Sequence, residues 1–159
     1  MPVNSETVAA GGGGSASEPP DILAIDEARS AALVDRIMAV AHLQPAAHVA
    51  VIGRRTLPLL LEFLHRGCGC VRSLRPGAPS PDCEQADLAW IVDARTEVEL
   101  DEALRAARSR TGACGRVIVE GAHYAGRDGV AAIPDHAVAA GLGVVSFDHV
   151  ARRLVLSAA

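Results

Sequence analysis

Short aliphatic runs alternate along this chain with segments of helical periodicity, and this alternation constrains the fold more than any other feature. The runs are rich in valine and isoleucine and are bounded by glycine, proline or capping residues, as buried strands are. Strands that alternate with helices build a parallel sheet covered by helices on both faces. We therefore predict a three-layer α/β domain. Its predicted strands are 49–53, 70–74, 86–93, 116–120, 143–148 and 153–157.

The last two predicted strands depart from this alternation. They are too close in the sequence for a crossover helix, so they must pair antiparallel as a C-terminal hairpin. The helices between the other strands are marked by local signals. Thr96 and Glu99 form a capping box, Thr56 is placed to cap another helix, and Gly67 is placed to end it. Helices are predicted at 27–42 and 57–66, from Thr96 to about Thr111, and from Pro134 and Asp135 to Gly141.

Composition divides the chain into a tail and one domain. Residues 1–20 are rich in Gly, Ser and Pro, and this composition predicts a disordered tail. Residues 21–159 have the length of a single domain. Half of the chain is hydrophobic but only 3% is aromatic, so the predicted core is aliphatic, as in sheets covered on both faces.

Several function classes are excluded by composition. The net charge is −4, without a basic stripe or a set of aromatic side chains, so we expect no nucleic-acid partner. All fifteen basic residues are arginine, which excludes a Schiff-base or Walker lysine and suggests a GC-rich bacterial source. No membrane span and no signal peptide are predicted, so we expect a cytoplasmic protein. The four cysteines are expected to be free thiols without a metal site: Cys68, Cys70, Cys83 and Cys114.

The arrangement of residues 27–157 resembles the class I S-adenosylmethionine-dependent methyltransferases. The resemblance rests on a lead-in helix, on VAVIG entering a helix, on ADLAWIVD followed by a long helix and GRVIVE, and on the closing GVVSFDHVARRLVLSAA. It implies a Rossmann-like sheet whose last strand is inserted antiparallel. If the chain is an enzyme, the resemblance implies methyl transfer from S-adenosylmethionine.

The cofactor motifs of that family are degenerate here. The resemblance implies an acid on the first strand, where this chain has Val51, and two further glycines, where it has Arg55 and Leu57. It implies an acid for the ribose hydroxyls where this chain has Arg75, which offers donors only. Residues 76–85 are too short for the usual crossover, so we predict that the family's third strand is missing.

A candidate ligand site lies at the turn after the first strand. Gly53, Arg54, Arg55 and Thr56 stand where a helix N-terminus favours an anion. Arg75, at the end of the neighbouring strand, is expected to lie nearby. The arginines of this set can grip a phosphate, including the 2′-phosphate of a nucleotide.

Candidate catalytic residues follow the other strand ends. His123 is a candidate general base, oriented by Glu120 or by Asp93. Trp90 lies among apolar residues in a strand, and we expect it in the core with an indole N–H that needs a partner.

Three functions remain open from the sequence. The domain has lost standard S-adenosylmethionine binding and is a binding or scaffold module, or it is a small methyltransferase with an unusual cofactor turn, or it binds a dinucleotide of the NADP type through Arg75. The missing strand would leave an exposed sheet edge, through which a homodimer or a protein partner can form.

Overall fold

Helices and strands alternate in the computed structural model, which describes residues 22–77, 84–120 and 126–159, with side chains from 27 to 77, 84 to 120 and 131 to 159. In this part of the chain there are four helices and six strands. The helices are α1 (Ile22–Ala41), α2 (Leu57–His65), α3 (Glu97–Arg110) and α4 (Gly126–Ala139). The strands are β1 (His48–Ile52), β2 (Cys70–Leu74), β3 (Ala86–Ile91), β4 (Thr111–Glu120), β5 (Leu142–Asp148) and β6 (Arg153–Ala158).

The strands form a single sheet in the order β2-β1-β3-β4-β6-β5. The first four strands in the chain are parallel, β6 pairs antiparallel with β4, and β5 pairs antiparallel with β6. A mostly parallel sheet with a C-terminal antiparallel hairpin is thus confirmed. Among the described residues β2 pairs only with β1, so it stands at one edge of the sheet.

Each face of the sheet is covered by two helices, which confirms the three layers. Side chains alternate between the faces along each strand, since the strand period is two. On one face α1 and α2 pack over Val51, Trp90 and Ile118. On the other, α3 and α4 pack over a second set of aliphatic side chains that includes Ile52 and Ile91. The core is aliphatic, as predicted, and Trp90 lies within it with 1% of its surface exposed.

Two helices are followed by a glycine in a left-handed backbone conformation. Gly67, just after α2, and Gly141, just after α4, have φ angles of 83° and 77°. Only glycine adopts this left-handed conformation without strain, so the chain can turn sharply there. Gly67 therefore ends its helix as the sequence predicts.

The start of α4 was wrongly predicted from the sequence. Pro134 does not open the helix but lies inside it, and α4 begins at Gly126. A proline within a helix removes one backbone hydrogen bond, yet packing of Ile133 and Ala137 into the core holds the segment in place. Gly126 and Gly129 are poor helix formers, so the first turns carry no helical signal in the sequence.

The fourth strand also begins earlier than its pattern suggests. β4 starts at Thr111, directly after α3, and its pairing with β3 is irregular between Ala86 and Leu88. A Cβ on Gly115 would lie 2.7 Å from the Ala86 carbonyl oxygen, so only glycine lets the two backbones approach there. Gly115, which lies outside the predicted strand 116–120, is therefore part of an irregular strand.

None of the helices in the described part of the chain has the length and apolar character that crossing a membrane requires.

Candidate functional site

The candidate site lies at the carboxyl ends of the parallel strands. The turn after β1 carries Gly53, β3 is followed by Asp93, and β4 ends at Glu120. In open α/β sheets ligands bind at this edge, because loops and helix N-termini converge there. Two clefts open at this edge, one on each side of the sheet.

Gly53 brings the turn after β1 close to the loop after β3. Its N–H donates to the carbonyl of Leu74 at 3.1 Å, and a Cβ at this position would lie 2.7 Å from Cγ2 of Val92. A larger residue at 53 would require the Val92 side chain or one of the two loops to shift. The contact with Val92 alone thus accounts for a glycine at this position.

Thr56 was expected to cap α2 and to contribute to an anion site. It is the residue before the helix, but its side chain makes no capping hydrogen bond. Its hydroxyl lies 2.6 Å from that of Ser73 in β2, and the residue is 4% exposed. The side-chain cap was therefore a wrong prediction, because the hydroxyl ties the turn to the neighbouring strand instead.

The first cleft lies on the α3 side of the sheet and is called here the α3 cleft. This cleft has a volume of about 480 Å³. The described residues that line it are Arg54, Arg75, Pro76, Glu99 and Glu102. Two guanidinium groups face two carboxylates, so the lining is electrically balanced. Of the predicted arginine set, Arg54 and Arg75 are brought together here.

Arg54 is bonded across the α3 cleft to the carboxylate of Glu99. The backbone N–H of Arg95 donates to the same carboxylate at 2.9 Å, and Glu99 donates its own N–H to Thr96 Oγ1 at 3.1 Å. The N–H of Arg95 and the guanidinium of Arg54 together lower the pKa of Glu99. Glu99 is therefore a carboxylate at neutral pH and holds Arg54 in the cleft.

The second cleft lies between α1, α2 and the sheet edge, and is called here the α1–α2 cleft. Its described lining encloses about 740 Å³. Arg55 faces this cleft, so the structure separates it from Arg54 and Arg75. The lining residues are Arg29, Leu33, Arg36, Arg55, Leu59, Trp90, Val92, Asp93, Arg95 and Glu120.

The two carboxylates proposed from the sequence as catalytic residues both line the α1–α2 cleft, and both are ion-paired. Asp93 accepts from Nε of Arg95 at 3.1 Å. Oε1 of Glu120 accepts from Nη2 of Arg36 and from Nη2 of Arg153, each at 2.8 Å. Either carboxylate would have to leave an arginine before acting as a base. His123 lies outside the described residues, so its role stays a prediction.

Trp90 forms part of the floor of the α1–α2 cleft. Its ring meets that of Phe63 edge to face, with centroids 6.0 Å apart. Its indole Nε1 is buried and has no hydrogen-bond partner among the described residues. An indole N–H normally finds a partner when buried, so this unsatisfied donor marks the cleft floor as unusual.

Several residues of the α1–α2 cleft were missed by sequence reasoning. Arg29 and Arg36 are seven residues apart on α1, which places them on one face of the helix, two turns from each other. That spacing was visible in the sequence. It could not show that this face looks onto the sheet edge, because the packing of α1 against the sheet is a tertiary contact.

The cysteines and histidines form no cluster in the described part of the chain. No group of three or more His, Cys, Asp or Glu residues there is placed to hold a metal ion. Burial raises the pKa of the Cys68 thiol, and Cys114 is exposed. Cys83 lies outside the described residues.

No protein-family model matches this sequence, and no curated protein does. Solved structures do match. The CcbJ methyltransferase of Streptomyces caelestis superposes with a TM-score of 0.59 at 15% identity, over 92% of this chain and 93% of that one. A TehB-like S-adenosylmethionine-dependent methyltransferase of Corynebacterium glutamicum gives 0.58 at 14%, over 84% and 94%. The glycopeptide N-methyltransferase MtfA gives 0.59 at 7%, over 80% and 92%.

These likenesses establish the fold, which is that of the class I S-adenosylmethionine-dependent methyltransferases. At identities this low the likeness does not extend to activity, because one fold hosts many functions.

Proposed function

We propose that this domain, which has the class I methyltransferase fold, does not hold S-adenosylmethionine in the manner of that fold and acts as a binding module. The observation that carries the proposal is the ion pair between Arg54 and Glu99. It joins the turn after β1 to the head of α3. The family resemblance implies that the cofactor lies against this turn, so a bound cofactor would have to displace Arg54.

Two further positions support the loss of the usual cofactor contacts. The resemblance implies an acid at Val51, but that side chain is fully buried in the core beneath α1 and α2. It also implies a ribose-binding acid at Arg75, which lines the α3 cleft and can only donate hydrogen bonds. Neither position supplies an acceptor for the cofactor.

The charge of the α1–α2 cleft, on the other side of the sheet, supports the same conclusion. The described lining of the α1–α2 cleft holds four arginines and two carboxylates, a surplus of two positive charges. S-adenosylmethionine carries a sulfonium and an ammonium group against one carboxylate, so it is a cation. Like charges repel most strongly where water is partly excluded, which disfavours this ligand in the cleft.

A working methyltransferase with an unusual cofactor turn is the second candidate. The carboxylate of Glu102 lines the α3 cleft beside Arg75 and lies close to the backbone of Gly77. It offers acceptors that the ribose hydroxyls of a cofactor could use in place of the missing acid. This candidate requires Arg54 to leave Glu99 when the cofactor binds.

The test is a thermal-shift titration with S-adenosylmethionine, its demethylated product and NADPH. A ligand at about 100 times its Kd stabilises a protein by about 2.7 kcal/mol, or about 5–10 °C in Tm for a domain of this size. We expect no shift with any of the three. A shift with S-adenosylmethionine would favour the second candidate. A shift with NADPH that Arg75→Ala removes would favour the dinucleotide alternative.

The exposed edge strand adds a proposal about assembly. β2 has no strand neighbour on its outer side among the described residues, and an edge strand is a template for pairing with another chain. We propose that a second copy of the chain or a partner protein pairs with this edge. Sedimentation of the protein at high concentration tests self-association, and a strict monomer would count against it.

A further inference from the structure

The α1–α2 cleft differs from the rest of the molecule in charge. Its described lining carries a surplus of two positive charges, whereas the whole chain has a net charge of −4. A cleft with a net charge and low-dielectric walls concentrates the electrostatic potential and attracts small ligands of the opposite charge. A positive cleft in an acidic protein therefore selects for small anions.

Two of the four arginines in this cleft are already committed to partners. Arg36 is bonded to Glu120 at 2.8 Å, and Arg95 to Asp93 at 3.1 Å. Arg29 and Arg55 make no ion pair or hydrogen bond with any described residue, although both line the cleft. They come from separate elements, α1 and the turn after β1. Two uncommitted guanidinium groups that face one cleft form a ready site for a carboxylate or a phosphate.

Part of the cleft lining is apolar. Leu33 of α1, Leu59 of α2 and Val92 of the loop after β3 line it together with the indole of Trp90. Clefts of about 300–1,000 Å³ are typical of small-molecule sites, and this one measures about 740 Å³, with an apolar patch beside its charged groups. Such a lining fits an organic anion better than a bare inorganic ion.

We infer that the α1–α2 cleft binds a small organic anion, with its carboxylate or phosphate held by Arg29 and Arg55 and its apolar body packed against Leu33, Leu59 and Trp90. The inference rests on the proposed function, since it assigns the cleft to a ligand other than S-adenosylmethionine.

The protein carries its own reporter for this site, because Trp90 is the single tryptophan in the sequence. Titration with phenyl phosphate, followed by tryptophan fluorescence, should give a saturable change. Benzyl alcohol, which has the apolar body without the charge, should give none at the same concentrations. Inorganic phosphate alone should bind more weakly than phenyl phosphate, because it lacks the body that packs on the apolar floor.

Arginine variants locate the site. Arg29→Ala and Arg55→Ala should each weaken phenyl phosphate binding by about tenfold or more, the usual effect of losing one charge-assisted hydrogen bond. Arg105→Ala is the matched control, since Arg105 is exposed on α3 in the opposite layer. It should leave binding unchanged. Circular dichroism and the unfolding midpoint establish that each variant is folded.

Failure of the inference can be told apart from failure of the proposed function. No saturable change with phenyl phosphate, or a change that neither Arg29→Ala nor Arg55→Ala weakens, overturns the inference alone. A saturable change with S-adenosylmethionine that Arg55→Ala abolishes overturns both, because the cleft would then be a cofactor site. Saturable binding of phenyl phosphate through both arginines, without binding of S-adenosylmethionine, supports both.

Discussion

Arg54 and Glu99 are joined by an ion pair that links the turn after β1 to the first turn of α3. Glu99 belongs to a capping box in which its N–H is bonded to Thr96, as the sequence predicts. The reciprocal bond, however, goes to the N–H of Arg95 rather than to that of Thr96. The same carboxylate thus accepts from the residue before the helix cap and holds an arginine at the turn after β1.

The first prediction concerns the pH dependence of Glu99. Its pKa in the folded protein lies below the ordinary value of 4.5, because Arg95 N–H and Arg54 favour the carboxylate. Its contribution to stability is therefore fully present above about pH 4.5 and is lost as the pH falls through the lowered folded value. Glu99→Gln should destabilise the protein at neutral pH and much less in acid.

Urea unfolding of both proteins across this pH range is the measurement. Glutamine keeps the shape of the side chain and one of its two acceptor oxygens, so the comparison removes the charge and one acceptor with little change in packing. Asp35 and Asp148 also have lowered pKa values, the first from its bond to Arg66 and the second from the N–H groups of Ala151 and Val150. Both carboxyl groups are present in the wild type and in Glu99→Gln, so their effect on the pH dependence of stability cancels in the comparison. A stability gap that does not depend on pH would contradict the role of the Glu99 charge.

A second prediction concerns Arg66, which links α1 to α2. It is bonded to Asp35 Oδ1 at 2.5 Å, to the carbonyl of Ala31 at 3.2 Å and to the carboxylate of Glu62. Arg66→Ala should lower the free energy of unfolding by about 1–2 kcal/mol, since charge-assisted bonds are lost but Asp35 is largely exposed. Denaturant unfolding measures this free energy. The Arg66→Lys variant should be less stable than the wild type and more stable than Arg66→Ala, because lysine keeps the charge but lacks the planar fork of donors.

Arg105→Ala is the control for that experiment. Arg105 is exposed on α3, and its substitution should change stability by no more than about 0.5 kcal/mol. Equal effects at 66 and 105 would show that the Arg66 contacts do not hold the two helices together.

A third prediction concerns the shared carboxylate of Glu120. Arg153 is 5% exposed and depends on Glu120 for its charge partner, and its Nε has no hydrogen-bond partner among the described residues. Glu120→Ala would remove the carboxylate bonded to this buried guanidinium, although the charge of Asp148 still acts on it, and should cost about 3 kcal/mol. Adding Arg153→Met should recover part of that loss. If the double variant were less stable than Glu120→Ala, the buried charge would not be the cause.

A fourth prediction orders the cysteines by reactivity. Cys68 is 6% exposed and burial raises the pKa of its thiol, whereas Cys114 is exposed on β4. Because the thiolate is the reactive form, iodoacetamide should modify Cys114 well before Cys68 in the folded protein. Peptide mass spectrometry against time gives both rates. Equal rates in the folded state, or faster modification of Cys68, would be inconsistent with this packing.

Much of the fold follows from local sequence signals. The strand 70–74, the helix that Thr96 opens and the terminal hairpin were all predicted because each is a short-range pattern of period, cap or loop length. Where glycines fall inside regular structure the signal fails. Gly115 serves a close approach of two strands, and Gly126 lies in the first turn of a helix.

The arrangement of the site could be predicted only in part. Gly53, Asp93 and Glu120 were correctly placed near strand ends, since chain order fixes which ends are carboxyl ends. The clustering of Arg54, Arg55 and Arg75 was not predicted correctly. Adjacent side chains on a turn point in different directions, so Arg54 and Arg55 line different clefts. The ion pair of Arg54 depends on Glu99, a residue far away in the sequence, which spacing does not reveal.

We propose that this domain does not hold S-adenosylmethionine in the way usual for its fold. Equilibrium dialysis of the folded protein against radiolabelled S-adenosylmethionine tests it most directly, because it needs neither a substrate nor a reaction. We expect equal total radiolabel on both sides of the membrane up to about 1 mM, a limit that corresponds to about −4 kcal/mol of binding free energy. Saturable retention of one ligand per chain below that concentration would contradict it.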